Sequence, residues 1–115
     1  KSGQYASACD EAFLYEEARH RVKNTIPKCY GVVAIKSPAG RWSPGIVLQH
    51  IRGVSMRDTC YDDEEEILRR LYKRLSRAGV WHSDLEPRNV MVQTRKGRRR
   101  FYVIDFSPDF VDIDE

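Results

Sequence analysis

The chain has 115 residues, with 20 Lys and Arg against 17 Asp and Glu, a net charge of +3, and 41% hydrophobic residues. That is enough chain for one modest core; no apolar run nears the ~20 residues of a membrane-spanning helix, and the charge excess is too small by itself to imply a nucleic-acid partner. Cys9, Cys29 and Cys60 are odd in number and widely spaced with no C-x-x-C pair, which argues against a disulfide framework or a zinc site and for reduced thiols in an intracellular protein.

From Asp10 to about Lys23 the apolar residues Ala12, Phe13, Tyr15, Ala18 and Val22 predict a helix with one buried stripe, and Asp10 suits its N-cap. Glu11 and Tyr15, four apart, share a face of it. Val32 to Lys36 reads as a strand whose solvent end is Lys36, joined through the turn S-P-A-G-R-W-S-P-G to a second, central strand over Ile46 to Ile51. R-G-V-S-M-R-D follows as a turn-bearing link. Asp62 to Ala78 is the clearest helix: Asp62 or Asp63 can cap it, with Glu65 or Glu66 as capping-box partner. Ile67, Leu68, Leu71, Tyr72, Leu75 and Ala78 form its stripe, and Gly79 stands at the C′ position.

The stretch from Ala78 to Ser107 holds the chemistry. Asp84 and Asp105 each stand at the end of a short apolar run, where a strand hands over to a loop, and Asn89 lies between them just before Val90 to Val92. Two carboxylates and an amide on strand ends and their connecting loop suit a magnesium ion, which takes one or two carboxylates from protein and the rest from water and phosphate. Between the strands sits a basic tip, Arg95-Lys96-Gly97-Arg98-Arg99-Arg100. One short cluster without interleaved aromatics reads as a solvated hairpin turn sooner than as a nucleic-acid footprint. The acidic tail P-D-F-V-D-I-D-E is expected to be loose.

His82-Ser83-Asp84-Leu85-Glu86-Pro87-Arg88-Asn89 resembles the catalytic loop H-x-D-L-x-x-x-N of the protein-kinase-like superfamily, and Asp105-Phe106-Ser107 resembles its metal-binding D-F-G. The resemblance implies an α+β fold, with part of the small lobe and the hinge strand in residues 1–51. Residues 52–115 would then begin the large lobe with the long helix and the catalytic-loop hairpin. It implies ATP and Mg2+ as cofactors and transfer of a phosphoryl group to a hydroxyl, on a protein or a small molecule. By the same resemblance Asp84 orients the attacking hydroxyl, His82 braces the loop, Arg88 supplies a cation, and Asn89 and Asp105 hold the metal. Gln49, His50 and Ile51 fall at the hinge, where main-chain groups meet the adenine.

The order of Glu11, Tyr15 and I-P-K-C-Y-G is similar to fungal kinase-like proteins with an E-x-x-x-Y helix, which matches Glu11 to the glutamate that pairs with the nucleotide-binding lysine. The other reading, one solvated helix acid among equals such as Glu16 and Glu17, stays open. Lys36 ends a V-A-I-K wording but comes too late for that lysine, because Ser37 to Trp81 hold only one long helical pattern. Lys1 would need an unusually short connection to Glu11, so the lysine and the Gly-rich loop are expected upstream, in a longer parent. Three residues depart from the pattern: Ser83 replaces the arginine that receives an activation-loop phosphate, which argues against switching by phosphorylation of that loop; Glu86 replaces a lysine near the transferred phosphate, an anion that opposes transfer unless Arg88 restores the cation; and Ser107 replaces glycine at a mobile joint, which removes easy access to positive φ. The alternative is a degenerate kinase relative that binds partners without transferring phosphate.

Overall fold

A computed structural model describes residues 2–115; Lys1, considered above for the phosphate lysine, lies outside them. Helix α1 runs from Ser2 to Arg21. Strands β1 (Cys29–Lys36) and β2 (Trp42–Leu48) form an antiparallel hairpin. β3 (Val54–Ser55) and a 3₁₀ turn (Met56–Asp58) lead to helix α2 (Glu64–Arg77). β4 (Val80–His82), a second 3₁₀ turn (Pro87–Asn89), β5 (Val90–Arg95), β6 (Arg98–Val103) and β7 (Val111–Ile113) complete the chain. The architecture is α+β, with three small antiparallel sheets ordered β1-β2, β3-β5-β6 and β4-β7.

Helix α1 begins eight positions before the expected cap. Asp10 sits exposed in mid-helix, because Gln4, Ala6 and Ala8 are sound helix formers and the one poor former there, Gly3, falls in the first turn. Its buried stripe is Tyr15, Ala18 and Val22. Phe13 is 64% exposed; two residues before Tyr15, it lies on the opposite face of a 3.6-residue period.

The second strand also differs. β2 starts at Trp42, paired with Lys36, and stops at Leu48, short of Ile51. Among the described residues its one neighbour is β1, so it is not central. Pro44 within it offers no N–H to a further ladder, as suits an edge.

Helix α2 has Asp63 at its N-cap without a side-chain cap bond. The capping box does not form, because Arg99 takes both Asp63 carboxylate oxygens, at 3.2 and 2.7 Å. Glu66 pairs instead with Arg69 and Arg70. Ile67, Leu71 and Leu75 are buried, whereas Tyr72 is half out of the core with its ring edge-on to Trp81.

Two pairings were not anticipated. β3 falls in the stretch read as a link, and it lies against Met91 and Val92 of β5. The approach is so close that a Cβ on Gly53 would stand 2.2 Å from the Val92 carbonyl oxygen. The tail is not loose: Val80 pairs with Ile113 and His82 with Val111. Asp114 N–H then bonds the Gly79 carbonyl, and Arg21 donates to the Asp114 carbonyl. Alternation supplies the reason, since Val111 turns into the core while Asp112 faces water.

The core lies where α1, α2, the β5–β6 face and β4 meet, with Tyr15, Leu75, Val80, Val90, Val103 and Phe106 all at 1% exposure or less. The three cysteines are free. Among the described residues no helix is long and apolar enough to cross a membrane.

Candidate active site

β4 delivers His82 into the core and then breaks into the loop Ser83–Glu86. The loop is tied to the tail, since the Ser83 N–H and hydroxyl both donate to the Phe110 carbonyl, at 2.8 and 2.9 Å. His82 is 2% exposed. Its Nδ1 accepts the Asp84 N–H at 3.2 Å and its Nε2 lies 3.2 Å from the Ile104 carbonyl. An acceptor on one side and a carbonyl on the other fix the neutral ring with the proton on Nε2. Both nitrogens are thereby engaged, and the ring stands edge-on to Phe106 at 5.5 Å.

Pro87, with its fixed φ, opens the 3₁₀ turn that buries Asn89. The Asn89 amide donates to the Asp84 carbonyl at 2.7 Å and to Asp84 Oδ2 at 3.2 Å. Arg88 donates to the same Oδ2 at 2.6 Å and pairs with Glu86 at 2.8 Å. Desolvation pulls the Asp84 carboxyl upward, but the hydrogen bonds, from Arg88 above all and from Asn89, outweigh it and hold the group below the usual carboxylate range. The hydrogen bond to Asp84 raises Arg88 in turn. Because both Asn89 bonds run through its nitrogen, its Oδ1 takes no donor among the described residues, nor does Asp84 Oδ1.

Asp105 arrives from the other side of the hairpin. The two-residue turn Lys96-Gly97, both at positive φ (53° and 77°), gives the primed geometry that matches strand twist. It sets Val90 opposite Val103. Ile104 N–H then bonds the Asn89 carbonyl at 2.9 Å, so Asp105 leaves the sheet beside Asn89. Asp105 has φ 65°, rare for a residue with a side chain. Its N–H donates to the Tyr15 hydroxyl at 2.8 Å. Its carboxylate accepts no hydrogen bond or ion pair among the described residues. Phe106, fully buried, packs between Tyr15 (centroids 4.8 Å apart) and His82.

Glu11 lies one helical turn before Tyr15. Burial raises its carboxyl, and the Asp105 charge raises it further. It lines a cleft of about 450 Å³ with Ser7, Ala8 and the Ser43–Ile46 stretch of β2. Gln49 and His50 are exposed where β2 leaves its sheet, and Ile51 is buried. The Gln49 side chain accepts the Lys28 N–H at 3.1 Å. The structure therefore gathers His82, Asp84, Arg88, Asn89, Asp105 and Glu11 around one end of the β5–β6 hairpin. No hydrogen bond among the described residues joins Gln49, His50 or Ile51 to that group. Sequence reasoning passed over the Tyr15 hydroxyl; a tyrosine in a wholly buried stripe, where its O–H needs a partner, was the available signal.

Among the described residues no three His, Cys, Asp or Glu side chains cluster as a ready metal cage. Magnesium does not call for one, being held by one or two carboxylates with water and phosphate. The Asp105 carboxylate and Asn89 Oδ1, oxygens free of protein donors, fit that requirement.

Residues 20–108 match the sequence profile of the lipopolysaccharide kinase (Kdo/WaaP) family. A 67-residue stretch is 31% identical to a probable serine/threonine-protein kinase BUD32 homolog of Archaeoglobus fulgidus, a match that takes in 58% of this chain and 32% of that protein. The chain thus spans about a third of the length of that relative.

Proposed function

Because the chain belongs to the lipopolysaccharide kinase (Kdo/WaaP) family, within the protein-kinase-like superfamily, we propose that it carries the catalytic segment of an ATP-dependent phosphotransferase acting on a hydroxyl. The family description points to lipopolysaccharide and the archaeal relative's name to serine or threonine; a hydroxyl acceptor is common to both. In this reading residues 1–51 are the remainder of the small lobe with the hinge, where Gln49, His50 and Ile51 meet the adenine, and residues 52–115 open the large lobe. An intracellular location goes with it.

Magnesium and nucleotide, when bound, supply the phosphoryl group and the counter-charge that steadies its transfer. The chain's own residues do the positioning. The Asp105 carboxylate and Asn89 Oδ1 offer the metal ligands, while Asn89 Nδ2 holds Asp84 in register with them. Asp84, kept a poor base by Arg88, accepts the acceptor's O–H through its free Oδ1 and orients the oxygen, a role that asks for geometry more than basicity. His82, with both nitrogens engaged, locks the loop to the strand that carries Asp105 and has no nitrogen left to move a proton. Glu11 awaits a cationic partner against the two-carboxylate repulsion it shares with Asp105.

The observation that carries this reading is the division of labour within Asn89, nitrogen to Asp84 and oxygen left open. Thermal-shift titration tests it: magnesium with a non-hydrolysable ATP analogue at a hundred times its dissociation constant stabilises a one-site protein by about 2.7 kcal/mol. The shift is expected in the wild type and absent in Asp105→Ala. A second reading, a kinase-like module that binds partners without transferring phosphate, draws on the Arg88 guanidinium closed on Asp84 and Glu86. It predicts no shift at millimolar nucleotide.

A further inference from the structure

We propose that Tyr15 is a positioning residue: its buried hydroxyl, by accepting the Asp105 N–H, holds Asp105 in a left-handed backbone conformation and so fixes the direction of its carboxylate. The inference rests on the phosphotransferase reading for what that carboxylate does, but the contact itself stands independently of it.

Three observations converge on this contact. Tyr15 is 1% exposed, and a phenol oxygen taken so far from water is costly unless it gains a partner. A phenylalanine would fill the same space, so packing does not explain the hydroxyl. Its partner is the N–H of Asp105 at 2.8 Å, across 90 residues of sequence. Asp105 is the site residue with positive φ, 65°, a region that side-chain-bearing residues seldom occupy without outside support.

The support comes from both flanks. Before Asp105, the Ile104 N–H is fixed on the Asn89 carbonyl. After it, Phe106 is clamped between the Tyr15 and His82 rings. Neither contact dictates rotation about the Asp105 N–Cα bond; the peptide plane between Ile104 and Asp105 is held at its carbonyl by His82 Nε2 at 3.2 Å and at its N–H by the Tyr15 hydroxyl at 2.8 Å. Tyr15 also carries Glu11 one turn away on the same face of α1. One helix therefore sets two features of the site together, the Glu11 carboxylate and the backbone of Asp105.

The test is Tyr15→Phe, which keeps the ring against Phe106 and deletes the oxygen. Two quantities are read on the protein: hydrogen exchange of the Asp105 amide by NMR, and the magnesium concentration needed for half-maximal binding of a fluorescent, non-hydrolysable ATP analogue. The Asp105 amide is expected to lose protection while those of Val92 and Leu75 keep theirs. The magnesium midpoint is expected to rise about tenfold, the scale of one lost neutral hydrogen bond, with metal-free nucleotide affinity unchanged. Faster exchange with an unaltered magnesium midpoint overturns the positioning role and leaves a structural bond. Should the variant fail to fold, the wild type still decides: an Asp105 amide exchanging at the rate of an open loop sinks the proposal. A wild type that binds no magnesium nucleotide while protecting that amide sinks the phosphotransferase reading instead, and with it the function assigned to Asp105.

Discussion

Among the described residues there are two long antiparallel hairpins, and the core covers them unequally. β5–β6 turns Val90, Val92 and Val103 inward, each at 2% exposure or less, and gains β3 along one edge. β1–β2 carries more apolar residues and packs Cys29, Ile46 and Leu48 against the core from the side of α1, yet none of the eight residues of β1 is buried. Tyr30, Ile35 and Trp42 on this hairpin are 62%, 52% and 60% exposed. The tips differ too. The β5–β6 hairpin is pinned to the start of α2 through Arg99 and Asp63, whereas the contacts at the β1–β2 tip stay within the hairpin, among them the Ser37 N–H on the Arg41 carbonyl and the Lys36 ammonium over the Trp42 ring at 5.7 Å. Strand pairing sets register in both, but register alone does not immobilise a side chain. The groups that need fixed direction stand beside the more deeply buried hairpin: Asn89 and Asp105 flank its strands, while His82 and Asp84, from β4 and the loop after it, are bonded to Ile104 and Asn89, as a precise site requires.

The sharpest way to break this contrast is to hollow the layer itself. Phe106→Ala removes a fully buried ring clamped between Tyr15 and His82. It should cost about 3–5 kcal/mol of unfolding free energy, the range for large aromatic truncations in a core. Urea unfolding of the two proteins checks it. A loss under ~1 kcal/mol would mean that the site hangs from a loosely packed layer.

The uneven visibility of the fold in the sequence follows the same division. The β5–β6 hairpin was legible because its evidence is local: alternating Val90 and Val92, then Lys96-Gly97 at a turn that demands positive φ. The buried stripe of α2 was legible for the same reason, its period of 3.6 being written in consecutive residues. The contacts that close the site are distant. Asp63 reads as a cap until Arg99 arrives from 36 positions away, and the tail reads as loose until β4 supplies an edge for Val111 and Ile113. The octapeptide from His82 to Asn89 named the residues, but the way Asn89 splits its two side-chain atoms is a product of folding around the 3₁₀ turn. The start of α1 was missed because Asp10 is a plausible cap, and helix formers before it make no signal stronger than that.

Titration of Asp63 offers a smaller test of how the buried hairpin is pinned. The Arg99 hydrogen bond holds the Asp63 carboxyl below its ordinary value of 3.8. A depressed folded-state pKa means that the unfolded chain binds more protons in the acid window, so stability rises with pH there. The contribution is complete above the unfolded value and is lost as pH falls through the folded one. Asp63→Asn should therefore melt slightly below the wild type at neutral pH, and the gap should close below about pH 3.8. High salt should narrow it as well, since both side chains are largely in water. A gap indifferent to pH would mean that the asparagine has disturbed packing, and that the ion pair does not anchor the tip.

The smallest effect is expected where the other hairpin faces solvent. Trp42→Ser removes a large ring that is already 60% exposed, leaving chiefly the exposed cation–π contact with Lys36 to lose, about 0.5–1 kcal/mol. Chemical denaturation at two protein concentrations measures it. A loss approaching that of Phe106→Ala would show that the outer face of β1–β2 is packed in solution after all. If that loss also vanished on dilution, the covering layer would be a second copy of the chain; if it did not, the layer would be part of the same molecule. Either result would turn the contrast from a deeply against a shallowly buried hairpin into one between two buried hairpins, and would extend the rigid frame around Glu11 to the strand that shares its cleft.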